Sequence, residues 1–217
     1  LIAAAGTNMN LQAADLKLET DQDKLSYSLG MMIGGGILKS YDNLDYNVMF
    51  EAIKTQHGGQ ETLLKQQEAS KILSDYHTKN MKKRSAKAQS AGDKYLAENA
   101  KREGVTVTES GLQYEVIKSG DGSKPKAIDT VSVHYVGTLL DGTEFDSSVK
   151  RGKPATFPLN RVIPGWTEGV QLMNKGSKYR FVIPSDLAYG TRGAGSNIGP
   201  DETLIFEVEL LDIVDAK

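Results

Sequence analysis

With 217 residues the chain can hold one large domain or two small ones, and its 25% charged and 39% hydrophobic residues are the balance of an ordinary soluble protein. A net charge of −2 gives no bulk electrostatic support to a nucleic-acid role. Cysteine is absent, so disulfides say nothing about the compartment, although a chain without thiols is compatible with an oxidising one.

The numbering opens on Leu1, and residues 1–20 read as disordered or as a signal remnant. LIAAA at the start would be the tail of a signal-peptide core, with Leu11-Gln12-Ala13-Ala14 supplying small residues for cleavage; a frayed terminus is the alternative. No apolar run is long enough to span a bilayer, so no transmembrane segment is expected. Asp21 is the expected N-cap of a first helix, with Lys24 where a capping box wants Glu or Gln. Leu25, Leu29, Met32, Ile33, Gly36 and Ile37 then recur at helical spacing. Gly30, Gly34, Gly35 and Gly36 each cost a helix about 1 kcal/mol against Ala. They make sense where another backbone approaches closely. A phosphate loop is set aside, because no Gly-Lys-Ser/Thr follows GMMIGGG.

A second helix is predicted after Asp45, with Tyr46, Met49, Phe50 and Ile53 as its stripe and Gly58-Gly59 as its end. A third helical stretch runs without proline from about Glu61 to Arg102, roughly 60 Å at 1.5 Å per residue. Its first third carries Leu63, Leu64, Ile72, Leu73 and Tyr76, whereas Lys79 to Lys94 has almost nothing to bury. A helix polar all round reads as a solvated spacer, with Gly92 its expected bending point and Lys82-Lys83-Arg84 part of the solvated face. Residues 21–76 have apolar stripes but too few residues for a core, so they read as a helical dimerisation module that forms a homodimer, and residues 77–104 as the spacer.

After Gly104 the period changes. Leu112–Ile117 and Val131–Val136 alternate as strands, Asp141-Gly142 marks a hairpin, and Tyr179–Ile183 and Leu204–Val214 are further strands. Pro164-Gly165 opens a short helix through Leu172. The fold class is α+β: an N-terminal all-α module, a long spacer helix and a C-terminal antiparallel sheet wrapped on a short helix. Tyr135, Phe145, Phe157 and Phe206 fall on one side of their strands, and Trp166, the only Trp, opens the short helix. No Ser-His-Asp, Cys-His or metal cluster accompanies them. His57, His77 and His134 are far apart, and His134 alternates with Tyr135 and faces away from it. Such a pocket holds something apolar, and chemistry there needs no nucleophile. Taken singly, Phe157, Phe206 and Val162 read as plain core, Asp146 as a turn cap and Tyr189 as loop packing; their co-occurrence favours a site.

The segments VHYVGTL, DGTEFDSS, VIPGW, LAYG and TLIFEVELL, in this order and spacing, resemble the FK506-binding-protein family of peptidyl-prolyl cis-trans isomerases over about Gly111–Val214. DKLSYSLG before a long polar helix resembles the Mip-like subgroup of Gram-negative bacteria. The resemblance implies an isomerase domain over 105–217 that needs no cofactor or metal. It implies catalytic positions at Tyr135, Phe145, Asp146, Tyr189 and Phe206. Substrate-binding positions would be Arg151, Phe157, Val162, Ile163, Trp166 and Ile198. Trp166 would be the floor under a proline ring, and the Ile163 N–H and Tyr189 hydroxyl would bind substrate carbonyls. Proline-containing unfolded or partly folded proteins are the implied partners, FK506 and rapamycin the implied inhibitors, and the periplasm or outer-membrane surface the implied location, with chaperone activity and a role in virulence. Ala155 and Ala194 depart from the family pattern and put macrolide affinity in doubt. The competing reading is a dimeric holdase, or a surface ligand-binding protein, with incidental isomerase activity.

Overall fold

The computed structural model describes residues 16–214; the residues 1–5 and 11–14 on which the signal-remnant expectation falls lie outside that range. The chain divides into two compact units, one ending at Gln66 and one beginning at Gln67.

The first unit is helical. Helix α1 spans Asp21–Gly35 and α2 spans Tyr46–His57, joined by a 3-10 turn at Ile37–Ser40. The start of α1 corrects the expected cap. Thr20 is the N-cap, its hydroxyl accepting from the Asp23 N–H at 3.1 Å, while the Asp23 carboxylate accepts from the Thr20 N–H at 2.8 Å. Asp23 is one methylene shorter than the usual Glu and still closes the box. α2 starts after Asp45 as expected, and Asp45 caps it, accepting from the N–H groups of Asn47 and Val48. Neither helix has a buried residue, and among the described residues no other part of the chain lies within 4 Å of a Cβ built at Gly30, Gly34 or Gly35.

Helix α3 (Gln66–Asn99) starts at the boundary and otherwise lies in the second unit, where α4 runs Pro164–Leu172 and seven strands form one antiparallel sheet. The strands are β1 (Val105–Val107), β2 (Gln113–Lys118), β3 (Thr130–Thr138), β4 (Glu144–Ser147), β5 (Ala155–Pro158), β6 (Lys178–Ile183) and β7 (Leu204–Val214), in the order β1-β2-β6-β7-β3-β4 with β5 also on β3. Alternation sorts β3 and β7 cleanly: Val131, Val133, Tyr135, Leu204, Phe206, Val208 and Leu210 are buried and their neighbours are not. Trp166 and Val170 of α4 pack into that face with Phe181 and Ile183 of β6. β1 was not anticipated, because three residues are too few for a visible period.

The expectation for α3 fails in its second half. Ser85, Ala88, Gly92, Tyr95, Leu96 and Asn99 recur at helical spacing and are the buried or half-buried residues of that segment. They face the sheet domain. The Asn99 amide donates to Gln113 at 2.8 Å, Gln113 donates to the Leu96 carbonyl at 2.9 Å, and Arg180 donates to the Tyr95 hydroxyl at 2.6 Å. Gly92 is buried at a close approach: a Cβ there would lie 2.4 Å from the Thr203 Oγ1. It is a packing position inside a continuous helix, not a bend. The sequence hid this because Ser85, Ala88, Gly92 and Asn99 are small or polar, and Tyr95 and Leu96 alone are too few to form an apolar stripe.

Candidate active site

The site forms where β3 loses a partner. β5 pairs with β3 over Thr130–Val133 and β4 over Val136–Thr138, leaving a gap at His134 and Tyr135. Ser148 fills it: its hydroxyl accepts from the Tyr135 N–H at 2.8 Å, and its N–H donates to the Tyr135 carbonyl at 3.0 Å. Every backbone group at the gap needs a partner, and Ser148 supplies one while residues 149–154, between it and β5, stay exposed. His134 turns away from the cleft, with its Nδ1 3.1 Å from the same hydroxyl.

A cleft of about 680 Å³ opens over this gap. Trp166 is buried at its base. Its ring meets those of Tyr135, Phe157 and Phe206 edge to face, at centroid distances of 5.2, 5.7 and 5.3 Å. Phe145 stands edge-on to Phe206 at 5.4 Å. Edge-to-face contacts hold each ring by its quadrupole as well as by its area. Gly137 is required here, since a Cβ would meet the Phe145 and Phe206 rings at 2.7 Å.

The polar groups are few and fixed. Asp146 accepts from the Tyr135 hydroxyl and from the Arg151 guanidinium. Arg151 also donates to the Tyr135 oxygen at 2.9 Å and lies over the Tyr135 ring. Burial pushes the Asp146 carboxyl up, but the hydrogen bonds from Tyr135 and Arg151 and the nearby positive charge outweigh it, so it lies below the ordinary carboxylate value. Desolvation, with Asp146 adding to it, raises the hydroxyls of Tyr135 and Tyr189. Both remain protonated donors at neutral pH. Ile163 is the N-cap residue of α4, and no side chain caps that end. Among the described residues neither the Ile163 N–H nor the Tyr189 hydroxyl has a hydrogen-bond partner, so both are free to meet a ligand.

Ten of the eleven sequence-predicted positions line the cleft; Arg151 instead stands behind Asp146 and Tyr135. Arg161 was missed, although it immediately precedes VIPGW. It lines the cleft, is exposed, and forms no ion pair among the described residues. The segment Ala194–Ile198 supplies one wall; Gly195 and its small polar neighbours carry little signal in sequence.

An aromatic box with two donors that have no partner among the described residues has the chemistry to hold an apolar ring. Comparison with known proteins names the class. The family described as "FKBP-type peptidyl-prolyl cis-trans isomerase" matches residues 121–211, and "Domain amino terminal to FKBP-type peptidyl-prolyl isomerase" matches residues 22–116. The chain is 48% identical to an FKBP-type isomerase FkpA of Aeromonas hydrophila, over 93% of this chain and 80% of that protein. It is 44% identical to the outer membrane protein MIP of Legionella longbeachae, over 92% and 88%. The crystal structure of FkpA from Escherichia coli aligns with a TM-score of 0.69 at 37% identity, covering 93% of this chain and all of that one. The chain belongs to the FKBP-type peptidyl-prolyl cis-trans isomerases, in the branch shared by the FkpA and Mip proteins of Gram-negative bacteria. It is an enzyme, a peptidyl-prolyl cis-trans isomerase.

Proposed function

We propose that the aromatic cleft is where the prolyl bond rotates, and that the clients are proline-containing unfolded or partly folded proteins outside the cytoplasm. The observation that carries this is Trp166 at the base of three edge-on rings, with the Ile163 N–H and the Tyr189 hydroxyl unpaired at the same cleft. Amide resonance sets a barrier of about 18–20 kcal/mol to rotation. The planar amide is the more polar state, so an apolar box disfavours it relative to the twisted one. The two donors hold the flanking carbonyls in the twisted geometry, which is binding of the transition state over the ground state. Trp166 carries the pyrrolidine ring; Tyr135, Phe145, Phe157, Val162, Ile198 and Phe206 exclude water. Asp146, fixed by Arg151, is the acceptor. No bond to the chain breaks, so no acid–base pair is needed.

Peptide turnover tests the assignment. Asp146→Ala should lower kcat/KM on a short proline peptide by about tenfold or more, and Phe206→Ala and Tyr189→Ala by smaller factors, each in a folded domain. Folded Asp146 and Tyr189 variants with unchanged turnover would sink it. FK506 or rapamycin would occupy the same cleft, since a pipecolyl ring resembles proline; titration calorimetry that finds no binding at tens of micromolar, about −6 kcal/mol, would argue otherwise.

The sequence alone divides the chain into 21–76 for dimerisation, 77–104 as spacer and 105–217 for catalysis; the unit boundary at Gln66/Gln67 and the packing of Arg84–Asn99 on the sheet favour instead dimerisation by the helices before Gln67 and a catalytic unit that includes that half of α3. Leu25, Leu29, Met32 and Phe50 are each more than half exposed, which supports a homodimer through these helices. Among the described residues no helix is long and apolar enough to cross a membrane. The periplasm or the outer-membrane surface is the location this reading assigns, with virulence as its setting. A second reading, a holdase, draws on the same exposed apolar faces. Suppression of aggregation of a proline-free client by an Asp146→Ala variant separates it from catalysis.

A further inference from the structure

The half of α3 that packs on the sheet domain touches both segments that flank the cleft. On one side lies the segment Gly190–Thr203. Its base is closed by the Asp201 N–H donating to the Gly190 carbonyl at 2.9 Å. Ala194 and Ile198, both in the cleft wall, exchange two backbone hydrogen bonds of 2.9 and 3.1 Å. Asp201 is 7% exposed and sits at φ 57°, in the left-handed region. The partner its carboxylate has in the structure is the Ser85 hydroxyl of α3, at 2.5 Å. The adjacent Arg84 has its guanidinium against Gly199, and two turns after Ser85 Gly92 lets Thr203 pack on the helix backbone. Beside it, a small cavity of about 280 Å³ is lined by Arg84, Lys87, Ala88 and Ala91 of α3, by Leu139, Leu140 and Asp141, and by Glu202 of the same Gly190–Thr203 segment. Leu139–Asp141 belongs to the hairpin that leads into Phe145 and Asp146.

We propose that α3 from Arg84 to Asn99 braces the cleft, with Ser85 and Gly92 as positioning residues that fix the Gly190–Thr203 wall through Asp201 and Thr203. The inference rests on the cleft being the site of rotation. Its physical basis is that a buried carboxylate in a left-handed turn must be hydrogen-bonded or the turn reorganises. Ser85 is its anchor, and Ile198 is three residues away. Because α3 begins at the boundary between the two units, the brace also ties the geometry of the wall to the element that joins them.

The test uses the full chain. Ser85→Ala should raise KM for a short proline peptide on the order of fivefold with kcat nearly unchanged, because binding geometry loosens while the aromatic box stays. Ser85→Thr, which keeps the hydroxyl, should restore KM. Gly92→Val should move the wall further; where it does not fold, the Ser85 pair decides alone. The methyl signals of Ile198 in the NMR spectrum give a readout independent of turnover. Signals that shift or broaden in Ser85→Ala and return in Ser85→Thr support the brace even if Phe206→Ala proves fully active and the cleft assignment falls. An unchanged KM with unchanged Ile198 signals in Ser85→Ala overturns the brace, whatever the cleft variants show.

Discussion

The two units spend their apolar residues in opposite ways. The unit from Gln67 buries Leu112, Val131, Leu159, Phe181, Leu204 and Leu210 completely, in one core under one sheet. The unit ending at Gln66 has comparable apolar side chains on α1 and α2 and buries none of them: Met32 is 76% exposed and Val48 67%. The difference is one of completeness. A sheet closed over a helix satisfies itself, whereas two short helices with one-sided stripes gain little from folding alone and must be covered by something else.

The sharpest way to break this contrast is to remove a large side chain from each unit. Phe181→Ala leaves a cavity in a fully buried position and should cost about 3–5 kcal/mol. Phe50→Ala, at a half-exposed position, should leave the second unit's stability unchanged. Trp166 is the only Trp and lies in the second unit, so its fluorescence during urea unfolding reports that unit alone. Equal losses from both substitutions would show that the units fold as one.

The next effect is on association. Light scattering should find a dimer for the full chain and a monomer for Met32→Lys, with turnover of short peptides retained in both. A monomer that begins at Gln67 should also keep that turnover. The cut belongs there and not near Gly104, because removing α3 would strip Ser85 from Asp201 and Asn99 from Gln113. A dimeric Gln67 fragment would place the interface in the wrong unit.

How far each unit was legible follows from the same chemistry. β3 and β7 alternate in sequence because one face is core and the other is not, and α4 announces itself by Pro164 at its first position. The cleft residues were found because large aromatics are few and their motifs are ordered. The contact face of α3 was not legible, since Ser85, Ala88, Gly92 and Asn99 are the residues expected of a solvated helix. A close approach that depends on the absence of side chains leaves no hydrophobic period to read. The cap at Thr20 was displaced by one residue because Asp21 is an equally good cap by type, and only the reciprocal bond to Asp23 decides between them.

Within the second unit, pH separates the polar anchor from the apolar box. The Asp146 carboxyl lies below 3.8, so its contribution is complete above that value and is lost as pH falls through the lower folded value. The hydroxyls of Tyr135 and Tyr189 lie above 10, so their donors persist until the solution is strongly alkaline. Peptide turnover should therefore be flat across the neutral range and fall only at the acid and alkaline extremes. Asp146→Asn, which cannot titrate, should be less active and lose the acid limb. A pH midpoint near neutrality would point to a different titrating group.

The smallest expected effect concerns the rim of the cleft. Asp146 is matched by Arg151, whereas Arg161 is exposed and without an ion pair among the described residues. The uncapped start of α4 adds partial positive charge on the same side. A peptide with Glu beside its proline should therefore be turned over faster than one with Lys there. Exposed ion pairs contribute about 0–1 kcal/mol, so the preference should not exceed about fivefold and should shrink as salt is added. Arg161→Glu should reverse it while leaving a peptide with Ala at that position nearly unaffected. Cleft-floor variants such as Phe206→Ala should instead slow all three peptides alike, because ring burial does not depend on the neighbour's charge. A protease-free assay on the three peptides at low and high salt measures both patterns. A preference that survives high salt, or that Arg161→Glu does not change, would mean that shape at the rim, not charge, selects the neighbour.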